Sequence, residues 1–138
     1  MLTTLIPYAV LALSMFAGHA AAADGFRSDS KRFGNPKMDI VITESARQAR
    51  TSVLDIRINS VGSSVGSSFF IVCSLRDLAR QRGNYRHVVK VEEKPRRNQM
   101  LVGFLDDAGE PAEKLDARFA GQQVIDLEQF APICEQMK

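Results

Sequence analysis

A loop rich in glycine and serine, residues 60–68, is the first segment of this sequence whose residue types could do chemistry. It follows an alternating, strand-like run and precedes a run with helical spacing. Backbone N–H groups at the amino terminus of a helix are free and attract anions. The candidate anion-binding residues are Gly62, Ser63, Ser64, Gly66 and Ser67.

The spacing in this Gly/Ser loop excludes the common nucleotide-binding motifs. Three residues separate Gly62 from Gly66 and no lysine follows, whereas a phosphate-binding P-loop has four residues there and then a lysine. The dinucleotide-binding fingerprint is also absent. Two interpretations stay open: a turn in which Ser63 or Ser64 caps the next helix, or a site for an anion or a lipid headgroup.

His87 is the one histidine outside the amino-terminal segment, and it falls in a predicted strand. A metal site needs several ligands, and a Cys–His nucleophile needs a free thiolate. We therefore predict no catalytic residues, no metal and no cofactor, and a non-enzymatic binding or accessory module. The alternative is a small periplasmic enzyme or ligand-binding protein that uses loop residues 62–68 and His87.

Cys73 and Cys134 are the only cysteines. An even number of cysteines in an exported chain favours a disulfide bond, and we predict that these two are joined. Such a bridge would tether the carboxyl-terminal tail to the main helix. The alternative is a pair of free thiols.

Charge is unevenly distributed along the chain. Residues 24–105 have a net charge of +7, and residues 106–138 have a net charge of −5. This predicts an acidic tail that folds back on a basic body, or else a basic surface for an anionic envelope partner such as phospholipid or lipopolysaccharide headgroups. Nucleic acid is not an expected partner. The candidate basic surface consists of Arg76, Arg80, Arg82, Arg86, Lys94, Arg96 and Arg97.

The first 23 residues resemble a cleavable signal peptide. An apolar run of about a dozen residues is too short to span a bilayer, and small residues follow it up to Ala23. We predict cleavage after Ala23, or after Ala22, and a periplasmic or secreted protein without a transmembrane segment in its mature chain. An uncleaved anchor is the alternative. His19 occupies the position where a lipoprotein signal has its cysteine, so no lipid anchor is expected.

The elements that would position these residues follow from apolar spacing. Alternation predicts strands at residues 38–44, 53–59, 86–92 and 99–105, with a short last strand within 122–127. Helical spacing predicts a helix over residues 65–82 and a short one over 130–137. Residues 24–37 are predicted to be an irregular lead-in.

These elements predict one α+β domain, residues 38–138, with two layers: a mixed four- to five-stranded sheet packed on one long helix, plus a short carboxyl-terminal helix. The predicted buried face of the long helix comprises Val65, Phe69, Val72, Leu75 and Ala79.

Residues 75–91 resemble a stretch of small bacterial envelope lipoproteins of unknown function. The shared features are a helix that ends at glycine, here Gly83, then an aromatic residue, here Tyr85, and a valine-rich strand. The resemblance extends over residues 53–92, and the lipoprotein cysteine is absent. It implies a place in the cell envelope and no activity.

Overall fold

The structure is a computed structural model that describes residues 25–92 and 98–137. The predicted signal peptide lies outside the described residues, as do Lys94, Arg96 and Arg97. The described part of the chain forms one six-stranded sheet, two α-helices and several short 3-10 turns.

All strand pairs in the sheet are antiparallel, and the spatial order is β1-β2-β3-β5-β4-β6. The predicted α+β class is confirmed, but the sheet is antiparallel rather than mixed and has six strands rather than four or five. A strand–helix–strand unit suggests parallel neighbours, but β5 inserts between the two strands that the helix connects. The strands are β1 (Arg27–Asp29), β2 (Asp39–Arg47), β3 (Thr51–Ser60), β4 (His87–Glu92), β5 (Gln99–Leu105) and β6 (Ile125–Asp126).

The segment predicted as an irregular lead-in contains β1 and a 3-10 turn, Ser30–Phe33. Phe26 is buried in the core, and the ring of Phe33 packs edge-on against Phe70 at 5.6 Å between centroids. The buried hydroxyl of Ser30 donates to the Met38 carbonyl and accepts from the Ile40 N–H. A three-residue edge strand is too short to show alternation, so no periodic signal marked it.

The long helix, α1 (Ser64–Gly83), covers one face of the sheet, and α2 (Ala131–Gln136) is attached to it near the carboxyl terminus. The predicted buried face of α1 was partly wrong. Leu75 and Ala79 are buried, but Val65 is 64% exposed and the central aromatic residue is Phe70 rather than Phe69. The apolar run from residue 69 to residue 72 fits more than one face, so its periodicity could not choose between them.

Among the described residues, the opposite face of the sheet is covered only over β4 and β5. There the segment that follows β5 folds back and packs Ala112 and Phe119 on Val89, Leu101 and Leu105. Gly103 makes room for this, because a Cβ atom there would lie 2.7 Å from the Phe119 ring. The domain thus has a third layer that the predicted two-layer arrangement lacked, while the same face of β1–β3 stays open.

Candidate functional site

A disulfide bond joins Cys73 to Cys134, with 5.4 Å between their Cα atoms. It links α1 to α2 and tethers the carboxyl-terminal tail, as the sequence predicted. Disulfides persist in oxidising compartments, so the bridge fits a protein that folds outside the cytoplasm.

Acidic residues of the tail pair with arginines of the body. Arg86 binds Asp126 at 2.9 Å through two parallel hydrogen bonds, and Arg50 binds Glu110 and the Phe104 carbonyl. Hydrogen bonds from these arginines hold the pKa of Asp126 and of Glu110 below their ordinary values. These contacts follow the predicted fold-back of an acidic tail on a basic body.

The candidate basic surface is largely used inside the fold. The side chains of Arg76 and Arg82 are each only 5% exposed. Arg86 is paired with Asp126, and Arg80 is exposed. Of the four predicted residues that the structure describes, only Arg80 is therefore an exposed cation without an ion pair to another described residue.

Arg82 was predicted to lie on the basic surface, but its side chain is buried because it makes hydrogen bonds inside the fold. Its guanidinium donates to the carbonyls of Gln48, Ala49 and Thr51 and to the hydroxyl of Ser52. It therefore anchors the turn between β2 and β3 to the end of α1. Burial lowers its pKa, and the neighbouring Glu44 carboxylate lies 3.6 Å away.

The Gly/Ser loop is a turn and a helix cap. The Ser63 hydroxyl accepts from the Gly66 N–H at 3.0 Å, and the hydroxyls of Ser67 and Ser68 donate to the Ser64 carbonyl. Gly62 has φ +68°, and a Cβ atom there would lie 3.2 Å from the Lys37 carbonyl oxygen. The loop's serines thus bond to the helix backbone, and anion binding at this loop stays a prediction.

The structure does not bring His87 and the Gly/Ser loop together. In β5, Leu105 pairs with His87 of β4 on one side, and Gly103 pairs with Thr51 of β3 on the other. Thr51 is the first residue of β3, so His87 lies at the end of the sheet where β3 begins. The loop leaves β3 after Ser60, nine residues further on, a span of about 30 Å at strand rise. An active site shared by the histidine and this loop is therefore not formed.

Three large aliphatic side chains are exposed where β3 passes into α1: Ile58 (51%), Val61 (43%) and Val65 (64%). We call them the aliphatic corner. The side chains of Lys37 and Arg57 lie at the same end of the sheet. Among the described residues, neither has a hydrogen-bonding or ion-pair partner.

A shallow groove of about 670 Å³ crosses the open face of β1–β3 and adjoins the aliphatic corner. Its polar side chains include Arg27, Arg57 and Asp55, and the last of these accepts a 3.0 Å hydrogen bond from Gln99. The remaining lining residues are Val41, Thr43, Ile56, Ile58 and Asn98.

A second, smaller cleft of about 270 Å³ lies beside the disulfide bond. We call it the disulfide cleft. It is lined by Arg32, Phe33, Cys73, Arg76, Asp77 and Cys134. This cleft was not predicted from the sequence, because Arg32 and Phe33 come from the segment predicted to be irregular.

The described residues contain no cluster of three or more histidine, cysteine or carboxylate side chains that could hold a metal ion. Within the same ranges, no helix is both long enough and apolar enough to cross a membrane.

No family model, curated protein or solved structure matches this chain. Its function must therefore be inferred from its own residues.

Proposed function

We propose that this chain is an exported, non-enzymatic accessory module of the cell envelope, periplasmic or secreted, which associates peripherally with an anionic membrane surface. The signal-like first 23 residues and the disulfide bond support export. The observation that carries the membrane proposal is the aliphatic corner, with Lys37 and Arg57 at the same end of the sheet and without an ion-pair partner among the residues that the structure describes.

The aliphatic corner is held in a fixed geometry. The Ser60 hydroxyl donates to the Lys37 carbonyl, and Gly62 packs against the same carbonyl. The Ser63 cap then starts α1, which presents Val65 on its first turn. The backbone is constrained on both sides of the aliphatic corner. Docking of the exposed valines therefore costs little further backbone entropy.

Charge at this end of the sheet favours an anionic surface only modestly. Arg27 is ion-paired with Asp29 at 3.5 Å. Lys37 and Arg57 are opposed by Asp39 and Asp55, which accept hydrogen bonds from the amides of Asn59 and Gln99. The first turn of α1 contains no acidic residue. Lys37 and Arg57 can contact anionic headgroups directly, while the apolar contact supplies the larger part of the binding.

The expected affinity is low and reversible. Burying the exposed parts of three aliphatic side chains contributes about 1 kcal/mol each. A cation near an anionic surface contributes about 1 kcal/mol, and the two carboxylates offset part of this. Such a module would bind and leave the membrane freely, as suits an accessory protein.

Sedimentation with vesicles tests the proposal. The processed protein should pellet with phosphatidylglycerol-containing vesicles at low salt, and less with pure phosphatidylcholine or at high salt. The double variant Val61→Ser/Val65→Ser should abolish most of the binding, whereas Ala117→Ser/Ala120→Ser, which changes exposed alanines elsewhere, should leave it intact.

Charge variants separate the electrostatic contribution to membrane binding from the apolar contribution. Arg57→Gln should weaken binding less than the valine pair does, and Arg80→Gln, which removes an exposed arginine of α1, should have no effect. If the wild type does not pellet with anionic vesicles at low salt, lipid is excluded. An envelope protein would then be the remaining class of partner.

A further inference from the structure

The disulfide cleft contains a buried arginine whose hydrogen bonding is incomplete. Arg76 is 4% exposed. Its Nη1 donates to Glu135 at 3.3 Å, a long hydrogen bond, and its Nε has no hydrogen-bonding partner in the described part of the chain. The nearest carboxylate oxygen to Nε belongs to Glu128, at 3.6 Å.

This arrangement is unusual because a guanidinium group carries five N–H donors, and buried polar groups are almost always satisfied. The carboxylates near Arg76 are not dedicated partners, since the side chains of Glu128 and Glu135 are 46% and 53% exposed. The edge of the guanidinium formed by Nε and Nη2 makes no hydrogen bond to a described residue. An acceptor from outside the chain would reach this edge by displacing the half-exposed Glu128 side chain, whose oxygen lies 3.6 Å from Nε.

The rest of the cleft is apolar or already paired. Phe33 and the Cys73–Cys134 bridge supply the apolar walls. Arg32 lies over the Phe33 ring, 4.9 Å from its centroid, and donates to Asp77 and to Ser28 at 3.0 Å each. Arg32 is thus anchored through its Nη2, and its side chain is 47% exposed to water. Arg76 is the lining cation that has a buried donor without a hydrogen-bonding partner among the described residues.

We propose that the disulfide cleft binds a small monocarboxylate with a compact apolar body. The carboxylate accepts two hydrogen bonds from the Nε–Nη2 edge of Arg76, in the paired geometry that guanidinium and carboxylate groups favour, and displaces the Glu128 side chain. The apolar body lies against Phe33 and the disulfide sulfurs. This site is separate from the membrane surface proposed above.

The charge and size of the cleft favour a single carboxylate over other anions. Asp77, Glu128 and Glu135 lie beside the two arginines, so they repel a dianionic phosphate more strongly than a monoanionic carboxylate. A volume of about 270 Å³ is at the lower end of the range for ligand pockets. The ligand is thus limited to the size of a benzoic or a short-chain fatty acid.

Nuclear magnetic resonance titration tests this. The full gene product, exported to an oxidising compartment and purified with its bridge intact, is labelled with nitrogen-15 and titrated with benzoate, with hexanoate and with neutral benzamide. We expect saturable shifts at residues 32, 33, 76 and 77 and at the Arg76 side-chain Nε–H with one or both carboxylates. Benzamide should bind at least about tenfold more weakly.

Two variants of α1 provide the matched comparison. Arg76→Met should weaken carboxylate binding at least about tenfold, and Arg80→Met, one turn further along, should leave it unchanged. If Arg76→Met does not fold, the wild-type Nε–H shift with benzoate and its absence with benzamide decide the question. The proposal is overturned if neither carboxylate gives saturable shifts at the cleft, or if folded Arg76→Met binds as the wild type does.

Discussion

Ser28 and Ser74 share a 2.8 Å hydrogen bond in the core, although 46 residues separate them along the chain. Arg32 donates to the Ser28 hydroxyl, and the Ser74 hydroxyl donates to the Phe70 carbonyl one turn back in α1. The result is a continuous chain of hydrogen bonds from the 3-10 turn to the helix. It fixes β1 against α1 and explains how two polar side chains can be fully buried.

We expect Ser28→Ala and Ser74→Ala each to lower the free energy of unfolding by about 1–2 kcal/mol, because each leaves a buried hydroxyl without its partner. A double-mutant cycle in urea should give a coupling energy of about 1 kcal/mol. Ser68→Ala, at an exposed serine of the same helix, serves as control and should change stability by less than about 0.5 kcal/mol. Additive effects of the two core substitutions would contradict a direct Ser28–Ser74 bond.

The buried face of α1 gives a second prediction. Phe70 is fully buried and in contact with Phe33, whereas Phe69 is only partly buried. Phe70→Ala should therefore cost about 3–5 kcal/mol in unfolding free energy, and Phe69→Ala should cost clearly less. The measurement is chemical denaturation of both variants under the same conditions. Equal losses, or a greater loss at residue 69, would mean that the helix is rotated about its axis.

Features with strong periodicity were predictable from the sequence, and features set by tertiary contacts were not. The strands around Ile40, Leu54, Val88 and Val102 follow from alternation, and the cysteine pair follows from its even count. The face of α1 was misassigned because the apolar run from residue 69 to residue 72 fits more than one face. Ser74 adds to this, since it is polar yet buried, with hydrogen bonds to Ser28 and to the Phe70 carbonyl.

The same limit applies to the candidate sites. Arg82 falls in an arginine-rich stretch that looks like an exposed surface, but its acceptors are backbone carbonyls of the β2–β3 turn, and sequence gives no sign of them. The disulfide cleft depends on Arg32 meeting Asp77, 45 residues away along the chain. A local sequence pattern does not predict such a long-range contact. The Ser63 cap is a local feature, and it was correctly included among the predicted alternatives.

Glu44 makes stability depend on pH. Burial acts to raise its pKa, but hydrogen bonds from Arg47 and Ser52 outweigh this and hold the pKa below its ordinary value. A lowered pKa in the folded state means that the ionised form stabilises the fold. This contribution is complete above the pKa of the unfolded chain, about 4, and is lost as the pH falls through the folded-state value.

We therefore expect Glu44→Gln to reduce stability at neutral pH and to flatten the loss of stability on acidification. Denaturant titrations at a series of pH values between neutral and strongly acidic conditions measure both effects. Glu113→Gln is the control, because Glu113 is exposed and makes no hydrogen bond or ion pair with the described residues. If Glu44→Gln kept the acid sensitivity of the wild type, other carboxylates such as Asp126 and Glu110 would have to account for it.

The disulfide bond gives the last prediction, because it is the covalent link between α1 and α2. The α2 helix is six residues long, and Cys134 is its buried residue. Reduction frees a loop with a sequence separation of 61 residues, which chain-entropy reasoning converts to a loss of about 4 kcal/mol in unfolding free energy. Because α2 carries Glu135, the Arg76–Glu135 pair should loosen at the same time.

Urea denaturation with and without reductant measures the loss of stability. The variant Cys73→Ser/Cys134→Ser should behave like the reduced protein in the absence of reductant. Thiol labelling of the denatured, unreduced protein is the direct check: no label should enter material taken from an oxidising compartment, and two labelled cysteines per chain would show that the bridge is not formed there.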